Sequence, residues 1–250
     1  MSELRVRAVA GLPEIAAGDP LGALIARQAG ELGDGDVVVV SQKVVSKAEG
    51  QIRKLSSVIP SAEARRLAAV LGKEPNLVEL ILEESAEVIR AERTVLIVET
   101  KHGFVCANAG IDSSNLAEEG TVCLLPEDPD ASARRLRAEL TAATGATRLG
   151  VAISDSFGRA WRLGQAEVAI GCAGLHPLDD WRGRTDASGR QLEATLIAIA
   201  DEAASAADLV RNKASGVPAA VVHGLGAHVG DEDGPGAAAL RRPPEEDLFR

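Results

Sequence analysis

The sequence predicts a mixed α/β fold, and three observations carry that prediction. Short β-rich apolar runs alternate along the chain with segments of helical periodicity. A composition of 46% hydrophobic and 26% charged residues is globular rather than disordered or collagen-like. At 250 residues the chain is long enough to bury about 70–75% of its unfolded surface, so folding requires neither disulfide nor metal. No internal repeat or low-complexity linker divides it. Residues 1–250 therefore read as one domain, and two intertwined subdomains remain an alternative because strands and helices cluster unevenly.

The elements follow in order. Gly11-Leu12-Pro13-Glu14-Ile15 is a Gly/Pro turn that ends an N-terminal strand. Val37–Val40, after the turn signal Gly33-Asp34-Gly35-Asp36, is a continuous apolar run expected of a buried strand. Pro60 to Gly72 reads as a helix, with Ser61 as its N-cap and Gly72 just past its end. Leu77, Leu80, Ile81 and Val88 keep helical spacing through the next segment. Thr94–Glu99, Gly103–Ala107 and Thr121–Leu125 are short strands. Asp130 is expected to cap a helix carrying Leu136 and Leu140 and closed by Gly145. Leu149–Ile153 and Val168–Gly171 are strands again. An Ala-rich helix is expected from about Gln191 to Val210, with Leu192, Leu196, Ile199 and Ala203 on one face. Val217–Val222 is the last buried strand, and 230–250 reads as a loop and tail.

Charge and composition exclude several functions. With 27 Lys+Arg against 37 Asp+Glu the net charge is −10, and aromatics are 2% with no Tyr. A nucleic-acid surface needs cations and stacking platforms, so that partner is not expected. An anionic ligand must be held by a local cluster of cations, backbone N–H groups or bound metal. Cys106, Cys123 and Cys172 form no C-x-x-C pair and read as reduced core residues. The N-terminus has no apolar leader pattern and no run approaches 18 apolar residues, so a soluble, cytoplasmic protein without a membrane partner is expected.

Familiar motifs are absent: the sequence has no G-x4-G-K-[ST] loop, no G-x-G-x-x-G opening a helix, and no G-x-S-x-G elbow. Neither a P-loop nor a Rossmann scaffold is expected. What stands out instead is Ser41 to Gly50, where Lys43 and Lys47 are four apart and share a face if the segment is helical. Two cations at the end of a buried strand suit a phosphate, because ligands of α/β sheets gather at strand ends. In Asn108–Asn115 and in Ser154–Gln165 a carboxylate sits where an apolar strand gives way to small residues. Asp112, Asp155 and the Ser156 hydroxyl are hard oxygen donors suited to Mg²⁺ or Mn²⁺. Arg159 and Arg162 follow closely enough to clamp a phosphate or carboxylate. Taken singly, each feature also fits a turn cap or a solvated charge.

Together these strings resemble the coenzyme F420-0:γ-glutamyl ligase family nearly end to end. They are GLPEI at 11–15, GDVVVVSQKVVSKAEG at 35–50, NAGIDSSN at 108–115 and SDSFGRAWRLGQAEVAIGCAG at 154–174. Supporting them are DWRGRTDASGRQLE at 180–193, ADEAASAADLV at 200–210 and VPAAVVHGLG at 217–226. The ending RRPPEEDLFR is similar to the ligase half of the actinobacterial bifunctional form. That form continues into a flavin-dependent reductase-like domain, so a reductase partner is among the expectations.

The resemblance implies an unusual two-subdomain α/β ligase, a homodimer, that joins L-glutamate to the phospholactyl carboxylate of a deazaflavin coenzyme. GTP drives the reaction, γ-linked glutamates follow, and Mg²⁺ or Mn²⁺ at two sites is used together with K⁺. It also implies nucleotide contacts at Leu12, Pro13, Glu14 and Ile15, at Gln42, Lys43 and Lys47, and at Asn115. A late nucleotide segment would comprise Val210, Arg211, Asn212, Lys213, Ala214, Ser215, Gly216 and Val217. Asp112 and Asp155 match metal ligands, Ser156 matches a ligand of a second metal, and Asn212 stands where archaeal members carry an acidic one. Lys47 and Arg159, with the two aspartates, are the expected catalytic groups. A related acid–amine ligase with another acceptor or nucleotide, and a non-catalytic nucleotide-binding module, are the alternatives.

Overall fold

The computed structural model describes residues 3–116, 118–211 and 215–249. Strand β1 (Arg5–Val9) leads to helix α1 (Leu21–Gln28) and then to strand β2 (Val37–Ser41), whose four valines are fully buried. β2 runs without a loop into helix α2 (Gln42–Ala48), followed by strand β3 (Ile52–Lys54). Helix α3 (Ala62–Leu71) is capped as its sequence predicts: Ser61 Oγ accepts from Ala64 N–H at 3.1 Å, and Gly72 turns left-handed with φ 64°.

Helix α4 (Pro75–Glu83) is shorter than its periodicity suggests. Val88 lies instead in strand β4 (Ser85–Glu92), paired with strand β5 (Val95–Thr100). The Ser85 hydroxyl donates to Ile81 O at 2.5 Å and closes the helix, and pairing with β5 overrides the local spacing. Strands β6 (Val105–Ala107) and β7 (Thr121–Cys123) come next.

In helix α5 (Pro129–Thr144) the cap is Asp128 rather than Asp130; its Oδ1 accepts from Ala131 N–H at 2.9 Å, and Pro129 fills the first position. Asp130 bonds elsewhere, accepting from the backbone N–H of Cys172, Ala237 and Ala238, which pins Ala237 and Ala238 to the body.

Strands β8 (Gly150–Arg159) and β9 (Arg162–Ala173) form a hairpin longer than either apolar run, so Asp155 and Ser156 lie in a strand rather than a turn. Strands β10 (Asp179–Asp180) and β11 (Leu196–Ile197) pair with each other. The expected helix from Gln191 is therefore reduced to α6 (Ile199–Asp208). Residues 192–195 are bonded back to 181–184, including Trp181 N–H to Thr195 O at 3.0 Å, and cannot also wind into a helix. Strand β12 (Ala219–His223) closes the order.

The main sheet has the order β1-β12-β2-β8-β9, in which β2 and β8 are parallel and the other pairs antiparallel. Side chains alternate between its faces. Val38, Val40, Val151 and Ile153 pack against α1 and α5 through Leu21, Ile25, Leu136 and Leu140. Val37, Val39, Ala152 and Val222 pack against α6 through Ile199, Ala203 and Ala207. Gly171 permits the close fit of α5, since a Cβ there would sit 2.3 Å from Pro129 O. A separate apolar cluster joins α3 and α4 to the sheet β4-β5-β6.

Candidate active site

β2 and β8 end side by side at Ser41 and Ser154, and a cleft of about 540 Å³ opens there. The end of parallel strands is where an α/β sheet exposes unpaired groups and loops to a ligand. Leu12–Glu14, α2, residues 112–115, the outer part of β8, and the loop that follows α6 supply its lining.

On the α2 side, helical spacing brings Lys43 and Lys47 to one face, as the sequence predicts. Lys43 Nζ lies 2.6 Å from Asp112 Oδ2 and donates to Ser114 O and Oγ at 2.8 and 2.7 Å. Lys47 Nζ pairs with Glu14 Oε1 at 2.5 Å and donates to Asn115 O at 2.9 Å. Asp112 is delivered by a tight turn in which Asn108, Ala109 and Gly110 all have positive φ, at 53, 54 and 69°. Two such non-glycine residues in succession store strain that the surroundings must hold. The holding contact is an exchange of backbone hydrogen bonds between Asp112 and Cys123 at 3.1 and 2.8 Å. Burial opposes ionisation of Asp112, but the Lys43 ammonium and the Ser114 N–H outweigh it and keep the carboxyl below its ordinary value.

Consecutive residues of a strand point to opposite faces, so Asp155 and Ser156 divide the cleft between them. Asp155 shares the face of Ile153, and Ser156 that of Ser154 and Ala152. On the α6 side, Ser156 Oγ donates to Glu167 Oε1, and Glu167 Oε2 accepts from Arg211 Nη2 at 3.1 Å. Arg211 Nη2 also donates to Ser154 Oγ at 3.0 Å and Nη1 to Pro218 O at 3.3 Å.

The cleft gathers Leu12, Pro13, Glu14, Gln42, Lys43, Lys47, Asp112, Asn115, Asp155, Ser156, Arg211, Gly216 and Val217. It does not gather Ile15, which turns into the core at 4% exposure, nor Val210, which packs beside α6. Ser215 is outside the lining. Arg159 sits at the hairpin tip, where it donates to Leu163 O and Gly164 O rather than into the cleft. Asn212, Lys213 and Ala214 lie outside the described residues.

Sequence reading missed Glu167, Ser154, Ser114 and Asp208. Glu167 sits inside an apolar strand run, and its only signal was a carboxylate where the core face resumes. All three cysteines are buried, and burial pushes the thiols of Cys106, Cys123 and Cys172 up to about 12, 11 and 12, so they are poor nucleophiles.

The donor set suits a hard divalent ion. Asp112, Asp155, Ser156 and Glu167 offer oxygen. Among the described residues no three His, Cys, Asp or Glu side chains converge into a cage.

Comparison with known proteins bears on this geometry directly. The family description F420-0:Gamma-glutamyl ligase matches residues 11–224, a span that contains every cleft-lining residue. The chain belongs to this ligase family. The coenzyme F420:L-glutamate ligase of Methanothermobacter thermautotrophicus is 47% identical over 247 residues, 97% of each chain. The ligase of the same name from Archaeoglobus fulgidus is 45% identical over 243 residues, 97% of this chain and 94% of that one. That of Methanopyrus kandleri is 44% identical over 249 residues, 99% and 98% of the two chains. No described helix of this family member is long and apolar enough to cross a membrane.

Proposed function

We propose that this chain ligates L-glutamate to the phospholactyl carboxylate of coenzyme F420-0, then adds γ-linked glutamates, at the expense of GTP. One observation carries the reading. The four segments at 11–15, 35–50, 108–115 and 154–174, far apart in sequence, each send residues into one cleft that offers two lysines beside oxygen donors.

The chemistry needs such a site. A carboxylate does not react usefully with an amine until one of its oxygens becomes a leaving group. Attack of the carboxylate oxygen on the γ-phosphorus of GTP forms an acyl phosphate and releases GDP. The glutamate amine then attacks the acyl carbon, phosphate leaves, and the amine gives up a proton. In this reading Lys43 and Lys47 meet phosphate oxygens and stabilise the charge that develops on them. The Leu12–Glu14 turn and the loop ending at Val217 supply the surrounding nucleotide contacts. Mg²⁺ or Mn²⁺, held by Asp112 and Asp155 with Ser156 at a second site, would neutralise phosphate charge when bound. Arg159 has no part in this scheme, because its guanidinium is engaged at the hairpin tip.

The clusters around the main sheet and around α3 and α4 correspond in this reading to two subdomains of the ligase. Trp161 and Leu163, 75 and 97% exposed at the hairpin tip, support the homodimer expected of the family.

Mass spectrometry of purified protein with phospholactyl deazaflavin, L-glutamate, GTP and Mn²⁺ tests the proposal. The expected products differ by single glutamyl units and require both GTP and metal. GTP bound without any addition would overturn this reading in favour of a related ligase with another acceptor or of a non-catalytic binding module.

A further inference from the structure

We propose that Ser46 is a positioning residue of this site: its hydroxyl holds the carbonyl oxygen of Gln42 and so turns the Gln42 amide nitrogen to the cleft. There the amide serves as an uncharged donor to a phosphate oxygen of the nucleotide. The inference rests on the GTP-dependent reading above.

Helix α2 carries two rows of side chains spaced i, i+4, one beside the other. Lys43 and Lys47 form the row that meets Asp112 and Glu14, and Gln42 and Ser46 form its neighbour. The second row is inside: Gln42 is 2% exposed and Ser46 is fully buried. Ser46 Oγ donates to Gln42 Oε1 at 3.0 Å. Another polar neighbour of that hydroxyl is the Cys123 thiol, whose sulfur is a weak acceptor, so the amide carbonyl takes the hydrogen.

With its oxygen held inward, the amide turns its nitrogen the other way. Gln42 Nε2 meets no acceptor among the described residues, yet it is not among the sealed polar atoms that lack a partner. Gln42 lines the cleft, so the surface left to Nε2 lies there, with two hydrogens for a ligand oxygen. A flipped amide would present its own oxygen and repel a phosphate. The lysines are engaged differently. Lys43 gives its hydrogens to Asp112 and to Ser114 O and Oγ, and Lys47 gives two to Glu14 and Asn115 O. A phosphate has to displace those acceptors, whereas the amide has none to release.

The test is calorimetry of GTP with Mg²⁺ on the full chain. Gln42→Met keeps the side-chain length without its donors and is expected to weaken GTP binding about 5- to 10-fold. Ser46→Ala, whose side chain is sealed away from any ligand, is expected to weaken it about 3- to 5-fold by freeing the amide to turn either way. In the Gln42→Met background Ser46→Ala should change GTP affinity no further, because no amide is left to orient. A serine that only supports the fold would weaken binding by the same factor in both backgrounds. That additive result overturns the proposal, as does wild-type GTP affinity in a folded Ser46→Ala chain.

If Ser46→Ala does not fold by circular dichroism, Ser46→Cys under reductant nearly keeps the volume with a much weaker donor and carries the same pair of measurements. Unchanged or tighter GTP binding by Gln42→Met also overturns the proposal, since the amide would then not present its nitrogen. A wild-type chain that binds GTP but ligates no glutamate sinks the ligase reading and leaves the result on Ser46 standing. One that binds no GTP sinks both.

Discussion

Of the three cation–carboxylate pairs that line the cleft, two contrast most: Lys43–Asp112 is partly in water and Arg211–Glu167 is sealed. Lys43 and Asp112 are 15 and 42% exposed, whereas Arg211 and Glu167 are 5 and 7% exposed. The chemistry of the two pairs is similar, but their surroundings give them different work. An ion pair open to solvent contributes little to stability and can exchange partners readily. A sealed pair is costly to break, because the group left behind keeps its charge without water. In the proposed reaction the α2 wall would trade Asp112 for an incoming phosphate while the α6 wall holds still.

The sharpest way to break this comparison is to remove one member of the sealed pair. Arg211→Met removes the guanidinium that donates to Glu167, Ser154 and Pro218 and is expected to cost about 1.5–3 kcal/mol of unfolding free energy. Urea denaturation followed by circular dichroism measures it. A loss below about 1 kcal/mol would mean that water reaches Glu167 and that the two walls do not differ.

Next in size is Asp155→Asn, at the strand position where the two walls meet. Turnover should fall by more than the roughly 10- to 100-fold that even an outer partner of a metal ligand costs. Its thermal midpoint should stay near that of the wild type. Retained activity would remove Asp155 from the metal assignment.

The difference between the walls also explains what the sequence made legible. The four valines of β2, the Ser61 and Gly72 caps and the shared face of Lys43 and Lys47 follow from local periodicity and local hydrogen bonding. So do Asp112 and Asp155, as carboxylates that interrupt apolar runs. The sealed wall was hidden because long-range pairing makes it. Glu167 meets Ser156 only through the β8–β9 register, and Arg211 meets Glu167 only once α6 has packed on the sheet. The same cause shortened the expected Gln191–Val210 helix and moved Val88 into a strand: backbone pairing with distant residues outweighed a helical spacing.

On the open wall, Lys47→Ala should raise the GTP concentration needed for half-maximal rate about tenfold and also lower kcat, because the lost charge-assisted contact serves both bound and developing phosphate charge. Steady-state kinetics at saturating glutamate separates the two parameters. Unchanged kinetics would assign Lys47 to holding Glu14 and Asn115 alone.

The smallest effect tests whether the Lys43–Asp112 pair exists in solution. Lys43 and Ser114 N–H, acting against burial, hold the Asp112 carboxyl below its ordinary value in the folded chain. Between the folded and unfolded values the unfolded chain therefore binds more protons, and stability rises with pH in that window. The contribution is present in full above the unfolded value of about 4 and is lost as pH falls through the lower folded one. Because Asp112 is 42% exposed, solvent screening limits the contribution to about 0.2–1 kcal/mol. Urea midpoints of the wild type and Asp112→Asn, compared between pH 7 and pH 3, should converge at the acid end. If the gap stays constant across that range, the pair does not form. Lys43 would then already be free for phosphate, and the trade assigned to the open wall would have nothing to exchange.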